Sequence, residues 1–438
     1  MVRTAWYGRA LCVFGMLCAV VPALLMRGFT VDDAFISLRY AQHLAAGAGW
    51  RFNLHGAVTD GVTPLPWVLI LALFVRGDLL AGLLRAQLLG IGCWTLAGGV
   101  LGHALRRAPV MLAVMGLLVV ALAFPVAAWS ASGMETGVAL AFVTLAACDR
   151  SLRGAAWGGL AAAFRPELVV WSLVQSTRRE PPRRVAFRWL LAAGPFAMCV
   201  AIRLVVFGTP APLSVSAKPS DFAHGLVYGG AALLVVLTPI LALDPRALRR
   251  PLALAALAHL LVVFAVGGDW MPYARLMVPI APSLVVVYAE TARSRLSSSL
   301  RFAVAALAGL FFLRAAPAGR HVVADRAALV ARARPLLVDA RKVAALDIGW
   351  VGAATAADIV DLAGLTDPEI AYLPGGHTSK RVDAGMLLDR DVDTVVLFSP
   401  PRQVEARLAA SELFESHYEA VATAPLGLYG AYTFYRRR

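Results

Sequence analysis

The sequence predicts a polytopic α-helical membrane protein with a small α/β domain at its C-terminal end. The 438 residues are 59% hydrophobic and 16% charged, whereas soluble domains are about 45–50% apolar and about 25% charged. The apolar residues gather into separate segments, many of them long enough to approach a membrane span. Residues 316–438 instead combine helical and strand-like patterns. These three observations exclude a disordered chain and an ordinary soluble enzyme.

Apolar segments recur through residues 1–315 and predict about eleven transmembrane helices. They cover residues 10–27, 83–104, 109–127, 136–148, 154–177, 187–207, 224–243, 251–267, 273–292 and 298–315. The segment 154–177 holds the sequence FRPE at its middle, which predicts two short helices that meet there. The shorter segment 64–75 begins with two prolines, which suit the start of an interfacial helix that does not span.

The positive charge predicts the orientation of these helices. Residues 1–315 carry a net charge of +15 and residues 316–438 a net charge of −1, so the excess belongs to the apolar part. The positive-inside rule therefore places the arginine clusters and the N-terminus in the cytoplasm, and the C-terminal end outside. The clusters are Arg106/Arg107, Arg150/Arg153, Arg178/Arg179/Arg183/Arg184/Arg188, Arg246/Arg249/Arg250 and Arg293/Arg295/Arg301. This distribution argues against a nucleic-acid partner, which a basic soluble protein would suggest.

The chain divides into a membrane domain, residues 1–315, and a C-terminal domain, residues 316–438. The first outer loop of the membrane domain covers residues 28–82. In the C-terminal domain, strand-like runs KVAALDI, ADIVDLA and DTVVLFS lie between helical patterns at 324–334 and 402–414. The five cysteines all lie in apolar stretches, which excludes a disulfide framework and a CxxC metal site.

Two adjacent carboxylates begin the candidate site. Asp32 and Asp33 follow the first apolar segment within a few residues, where charge is costly unless it has a function. The following residues 34–46 predict an amphipathic interfacial helix with Arg39 facing the water. The alternative is that the two carboxylates only favour the start of that helix.

Further polar residues reach the same predicted outer face from distant loops. They are Asp60, Glu135, Arg165, Glu167, Lys218, Asp269 and Arg275. Basic side chains among them would hold a phosphate, and a carboxylate would deprotonate an acceptor hydroxyl. Such a group suits an anionic, lipid-linked substrate. The alternative is that each residue is a solvated loop charge or an interfacial anchor.

Several loops resemble those of a known superfamily. DDAFISLRYAQHLAAGAGWRFN followed by TDGVTPLPW resembles the first outer loop of GT-C membrane glycosyltransferases, which use polyprenyl-phosphate sugars. FGTPAPLSVSAK and GGDWMPYARLMVP resemble loops of the branch that contains the mycobacterial terminal β-(1→2)-arabinofuranosyltransferase. The motifs RPE and SGMET, and the C-terminal segments DIGWVG and DIVDLAGLTDPEIA, are also similar to that branch. The matches run in the same order through most of the chain.

The resemblance implies an inverting glycosyltransferase on the outer face of a bacterial inner membrane. It would move arabinofuranose or a hexose from a polyprenyl-phosphate donor to a cell-envelope glycan or lipid. Asp32 would be the general base, and Asp33 would support it or bind a divalent cation (Mg²⁺, Mn²⁺ or Ca²⁺). The donor phosphate and the substrates would be bound by Arg39, Arg165, Glu167, Lys218, Asp269, Arg275, Asp60 and Glu135.

Two other functions remain open at this point. A transporter or flippase for lipid-linked sugars would also need polar residues within an apolar chain. The other hypothesis is a membrane scaffold without catalytic activity. The C-terminal domain is either a packing cap over the active-site cavity or a module that recognises the acceptor.

Overall fold

The computed structural model describes residues 2–233, 249–291 and 295–438. Most of these residues form α-helices, and the C-terminal part adds a five-stranded mixed sheet. The predicted combination of a largely helical protein with a small C-terminal domain of helices and strands is therefore confirmed. The chain forms two compact units. The first unit comprises Met1–Thr30, Ala86–Cys199 and Ser220–His321, and the second comprises Val31–Arg85, Val200–Pro219 and Val322–Arg438.

The helices of the apolar part follow the predicted segments closely. They are Val2–Leu25, Leu79–Ala104, Val110–Leu122, Phe124–Ser130, Thr136–Cys148, Leu152–Phe164, Val169–Ser176, Pro182–Phe207, Phe222–Ala232, Pro251–Ala265, Ala281–Thr291 and Arg295–Arg320. The predicted break at FRPE is confirmed, since Leu152–Phe164 and Val169–Ser176 are joined by a 3₁₀ turn at Pro166–Leu168. The helix predicted at 273–292 begins later than expected. Its first residues form an irregular loop that ends at the 3₁₀ turn Val278–Ile280.

The predicted count of about eleven transmembrane helices is not supported. Within the described ranges, three helices are long and apolar enough to cross a membrane: Trp6–Leu25, Leu79–Arg107 and Pro182–Phe207. A bent pair, Val110–Leu122 with Phe124–Ser130, would make a fourth, with a bend of 61°. Other apolar helices have 10–17 residues, fewer than the roughly 20 that a bilayer requires. Three parts of the sequence predictions lie outside the described residues: the second half of the predicted segment 224–243, Arg246 and Arg293.

The second unit is built around the mixed sheet. Its strands are β1 (Lys342–Ala345), β2 (Asp358–Asp361), β3 (Thr394–Ser399), β4 (Tyr418–Leu426) and β5 (Gly430–Arg437). Their order is β2-β1-β3-β5-β4; β1 runs parallel to β2 and β3, and β5 runs antiparallel to β3 and β4. The three predicted strands are confirmed as β1, β2 and β3, whereas the hairpin of β4 and β5 was not predicted.

Helices from three parts of the sequence complete the second unit. From the C-terminal part come Val322–Leu336, Ile348–Ala354, Pro368–Ala371, Ala384–Asp389, Gln403–Ala409 and Glu412–His417. From the first predicted loop come Asp32–Ala45 and Leu65–Ala72, and Leu213–Ala217 comes from the loop after residue 207. The compact unit therefore contains the predicted C-terminal domain together with residues 31–85 and 200–219.

Candidate functional site

The helix Asp32–Ala45 begins at the predicted carboxylate pair. Val31 before it is extended, and both aspartates lie in the first helical turn, where negative charge is favoured. Asp32 accepts hydrogen bonds from the backbone N–H groups of Gly349 and Trp350, at 2.7 and 2.9 Å. Both aspartates are partly exposed. The two N–H groups therefore hold the Asp32 carboxylate in one orientation.

The surroundings of Asp32 change its basicity. Burial raises the pKa of Asp32 to about 7, while the positive charge of Arg326 opposes this rise and the negative charge of Asp347 adds to it. Asp347 behaves in the opposite way. Burial favours its neutral form, but Arg402, Arg326 and the Tyr432 hydroxyl outweigh that effect and hold the pKa of Asp347 below its usual value. At neutral pH, Asp32 is thus present in both its protonated and its ionised form, while Asp347 is ionised.

The prediction that Arg39 faces the water is wrong. Its side chain is 2% exposed and donates four hydrogen bonds to backbone carbonyl oxygens. The acceptors are Phe52 at 2.9 Å, Gly352 at 3.0 Å, Thr355 at 3.1 Å and Ala357 at 2.8 Å. Burial lowers the pKa of Arg39 to about 10, so it is still protonated at neutral pH. Its guanidinium group is occupied by the protein itself.

Asp60 is buried and connects two loops of the second unit. Its carboxylate pairs with Arg203 Nε at 2.7 Å, and its carbonyl oxygen accepts from the Leu213 N–H at 2.9 Å. Arg203 also donates to the carbonyl oxygens of Val62 and Thr63. A buried pair of this kind breaks at a high energetic cost. Sequence reasoning missed Arg203 because it lies inside an apolar helix.

Lys218 is, with Arg39, one of the two predicted basic site residues of the second unit. It lies directly after the short helix Leu213–Ala217 and is partly exposed. Its side chain makes no ion pair with any residue that the structure describes. Lys218 is thus free to meet an anion.

The first unit contains a second group of predicted residues, centred on Arg165. The Arg165 side chain is 5% exposed and donates to Glu135 Oε1 at 2.8 Å and to Glu167 Oε1 at 2.7 Å. Arg165 itself is extended, between the helix Leu152–Phe164 and the following turn. The break at FRPE thus turns a guanidinium group inward, where two carboxylates hold it.

The loop GGDWMPYAR supplies a second ion pair in the first unit. Arg275 Nε lies 2.6 Å from Asp269 Oδ2, and its guanidinium carbon lies 5.7 Å from the centre of the Trp129 ring. Tyr273 and Ala274 have φ angles of 59° and 51°, a left-handed conformation that is uncommon for residues other than glycine. Such local strain is a feature of loops whose shape serves a function.

His259 is a residue of the first unit that sequence reasoning missed. Its Nδ1 lies 3.0 Å from the Glu167 carbonyl oxygen, and its Nε2 lies 2.8 Å from the Leu276 carbonyl oxygen. The Tyr228 hydroxyl accepts from the Leu276 N–H at 3.0 Å. The imidazole thus joins the FRPE segment to the residue after Arg275. The sequence carries no motif around either side chain that would have marked them.

The predicted site residues therefore fall into two groups. Asp32, Asp33, Arg39, Asp60 and Lys218 belong to the second unit, and Glu135, Arg165, Glu167, Asp269 and Arg275 to the first. The described residues bring no three His, Cys, Asp or Glu side chains together in a way that could hold a metal ion. The predicted cation at Asp33 thus has no ligand set among the described residues.

Comparison with known protein families gives a match for the C-terminal part of the chain. Residues 315–435 match the model of a family described as a domain of unknown function, DUF8728. Neither the curated proteins nor the solved structures yielded a match to this chain. The matched residues cover the strands β1 to β4, most of β5 and the helices between them.

Proposed function

We propose that this protein is a membrane glycosyltransferase that transfers a sugar from a polyprenyl-phosphate donor. The observation that carries the proposal is the state of Asp32. Two backbone N–H groups orient its carboxylate, the residue as a whole is partly exposed, and burial raises its pKa to about 7. A general base works best when its pKa lies near the working pH. The substrate class comes from the loops whose sequences resemble those of GT-C membrane glycosyltransferases.

In the proposed reaction, a hydroxyl group of the acceptor attacks the anomeric carbon of the donor sugar. Asp32 takes the hydroxyl proton as the new carbon–oxygen bond forms. The bond between the anomeric carbon and the phosphate oxygen breaks, and polyprenyl phosphate leaves with the bonding electrons. Attack from the face opposite the phosphate inverts the anomeric configuration. The sugar is arabinofuranose or a hexose, and the acceptor is a glycan or lipid of the cell envelope.

The leaving phosphate needs a positive charge to stabilise it. Among the predicted basic residues, Arg39 is occupied by backbone carbonyls, and Arg165 and Arg275 by carboxylates. We propose that Lys218 contacts the phosphate, because its charge is unpaired among the described residues. Arg165 then fixes the break at FRPE instead of binding substrate.

We propose that the protein lies in a bacterial inner membrane with its N-terminus in the cytoplasm and the C-terminal domain outside. The helices of membrane-spanning length support a membrane location, and the arginine distribution supports this orientation. Reporter fusions after residue 82 and after residue 438 should both indicate an extracytoplasmic position. A cytoplasmic signal from either fusion would overturn the orientation.

The activity is tested with the purified full-length protein in detergent. Polyprenyl-phosphate arabinofuranose and polyprenyl-phosphate mannose serve as donors, and an envelope lipid and glycan extract serves as acceptor. The wild type should release polyprenyl phosphate and glycosylate the acceptor, and Asp32→Asn should lose at least 100-fold in rate. Asp391→Asn is the control, because Asp391 is exposed and has a φ of 53° that asparagine tolerates.

Two results would overturn the proposal. The first is a wild-type protein that leaves every donor intact. The second is movement of the intact lipid-linked sugar across the bilayer when the protein is reconstituted in vesicles. That result would identify a flippase. Transfer by Asp32→Asn at the wild-type rate would remove Asp32 as the base while leaving the glycosyltransferase activity in place.

A further inference from the structure

The helix Ile348–Ala354 is capped by a residue from a distant part of the chain. Its own N-cap residue, Asp347, makes no side-chain hydrogen bond to the helix. The N–H groups of Gly349 and Trp350, which an N-cap side chain usually satisfies, donate to Asp32 instead. Asp32 and Gly349 are 317 positions apart in the sequence. The cap and the proposed base are thus one carboxylate.

Asp347 is held away from the helix by a network of side chains. Arg402 Nη1 lies 2.9 Å from Asp347 Oδ1, and the Tyr432 hydroxyl donates to Asp347 Oδ2 at 2.6 Å. Arg402 is in turn held by Glu405, at 2.7 Å from Nε, and the Glu405 side chain is fully buried. Arg326 donates to the Tyr432 hydroxyl at 3.2 Å. These contacts prevent Asp347 from turning back to displace Asp32.

The other end of the same helix is held by Arg39, two turns after Asp32 on the helix Asp32–Ala45. Arg39 donates to the carbonyl oxygens of Gly352 and Thr355 at its C-terminal end. Negative charge at the first turn and positive charge at the last both complement the helix dipole. Contacts at both of its ends therefore fix the position of the helix Ile348–Ala354 along the helix Asp32–Ala45.

Glycine at position 349 allows this approach. A Cβ atom built there would lie 2.1 Å from the Asp32 carbonyl oxygen and 2.8 Å from the carboxylate carbon. Because the nearest obstacle is backbone, a side chain at 349 must push the start of the helix Asp32–Ala45 away. Alanine at this position thus displaces Asp32 without removing any functional group.

We propose that the C-terminal domain, residues 316–438, positions the carboxylate of Asp32 for proton abstraction, with Asp347 as a positioning residue. The inference rests on the glycosyltransferase function proposed above. It gives the domain matched to DUF8728 a role within the active site. The domain supplies the two N–H groups that orient Asp32. It also supplies two charged side chains, Asp347 and Arg326, that change the pKa of Asp32. Asp33 is the adjacent carboxylate on the helix of Asp32 itself.

The first test compares two glycine substitutions in the full-length protein. Gly349→Ala should lower kcat at least tenfold and change KM less than twofold, since a displacement of about 1 Å can cost 100-fold in rate. Gly376→Ala is the control in the same domain, because a Cβ there would meet its nearest atom, Ser379 Oγ, at 3.7 Å. An unchanged kcat for a folded Gly349→Ala variant would overturn the positioning role.

A second variant covers the case in which Gly349→Ala does not fold. Tyr432→Phe removes one hydrogen bond from Asp347 and leaves the ring in place. It should lower kcat and shift the pH profile of transfer, because the charge of Asp347 acts on Asp32. A wild-type profile and rate for Tyr432→Phe would contradict the inference.

Hydrogen exchange separates this inference from the proposed function. In the full-length protein, Asp32→Asn should speed exchange of the peptide that contains Gly349 and Trp350, because an amide presents an N–H group to one of these donors. Asp33→Asn should leave that exchange unchanged. If the wild type transfers no sugar, this measurement still tests the positioning contact. Equal protection in Asp32→Asn and the wild type would overturn the contact whatever the activity.

Discussion

Replacing Arg39 with glutamine is expected to destabilise the second unit without acting directly on substrate. Arg39 is buried and donates four hydrogen bonds to carbonyl oxygens, and its guanidinium carbon lies 5.0 Å from the centre of the Phe52 ring. Glutamine is too short to replace these contacts. Each hydrogen bond contributes about 1 kcal/mol net, so their loss amounts to about 4 kcal/mol. Because removing a buried charge offsets part of this loss, we expect a decrease of about 2–4 kcal/mol.

The decrease is measured by thermal unfolding of the full-length protein in detergent, followed by hydrogen exchange of peptides from residues 342–361. For a unit of roughly 200 residues, the expected fall in the unfolding temperature is about 5–15 °C. Arg341→Gln is the matched control, because the Arg341 side chain is 89% exposed and should change stability by less than about 0.5 kcal/mol. Equal stability of the two variants, with a raised KM for Arg39→Gln alone, would refute the reasoning and restore a substrate-binding role.

Three further predictions concern ionisable groups. Transfer should rise with pH up to about 7 and then level off, because Asp32 must be ionised to accept a proton and its pKa is about 7; a flat profile of kcat/KM from pH 5.5 to 8.5 would contradict this. Arg165→Met should cost about 3–5 kcal/mol of unfolding free energy, because it leaves the Glu135 carboxylate buried without its partner, and adding Glu135→Gln should recover part of the loss in a double-mutant cycle. Asp60→Asn should cost about 1–3 kcal/mol in denaturant unfolding, because Arg203 loses a charged acceptor; an unchanged midpoint would show that the pair contributes nothing.

Local patterns were enough to predict many of the elements. Proline inside a helix removes a backbone hydrogen bond and favours a kink or a break. The break between Leu152–Phe164 and Val169–Ser176 at Pro166 follows this preference, whereas Pro195 lies inside a continuous helix. The strands β1, β2 and β3 have apolar runs of strand length, and all three were predicted. The hairpin of β4 and β5 has mixed polar and small residues, and its place in the sheet depends on the pairing of β5 with β3. That pairing is not local, so the sequence did not indicate it.

The candidate site was predicted by residue type but not by arrangement. Glu135, Arg165 and Glu167 were all predicted, and the structure brings them together around one guanidinium group. Arg203, His259 and Arg326 were missed, since their positions in apolar or helical segments carry no local signal of a partner. The predicted count of about eleven transmembrane helices is not supported among the described residues, because apolar composition does not fix where a helix ends.

The sequence by itself determined that this chain is largely apolar and helical, where its helices break, and which side chains bring charge into it. The tertiary structure decided what those charges meet. An amphipathic pattern shows that one side of the helix Asp32–Ala45 is polar, but a polar side can face either water or backbone groups. Arg39 meets carbonyl oxygens and Asp32 meets N–H groups of a helix more than 300 residues away. Such partners depend on which distant segments pack together, and local periodicity contains no information about them.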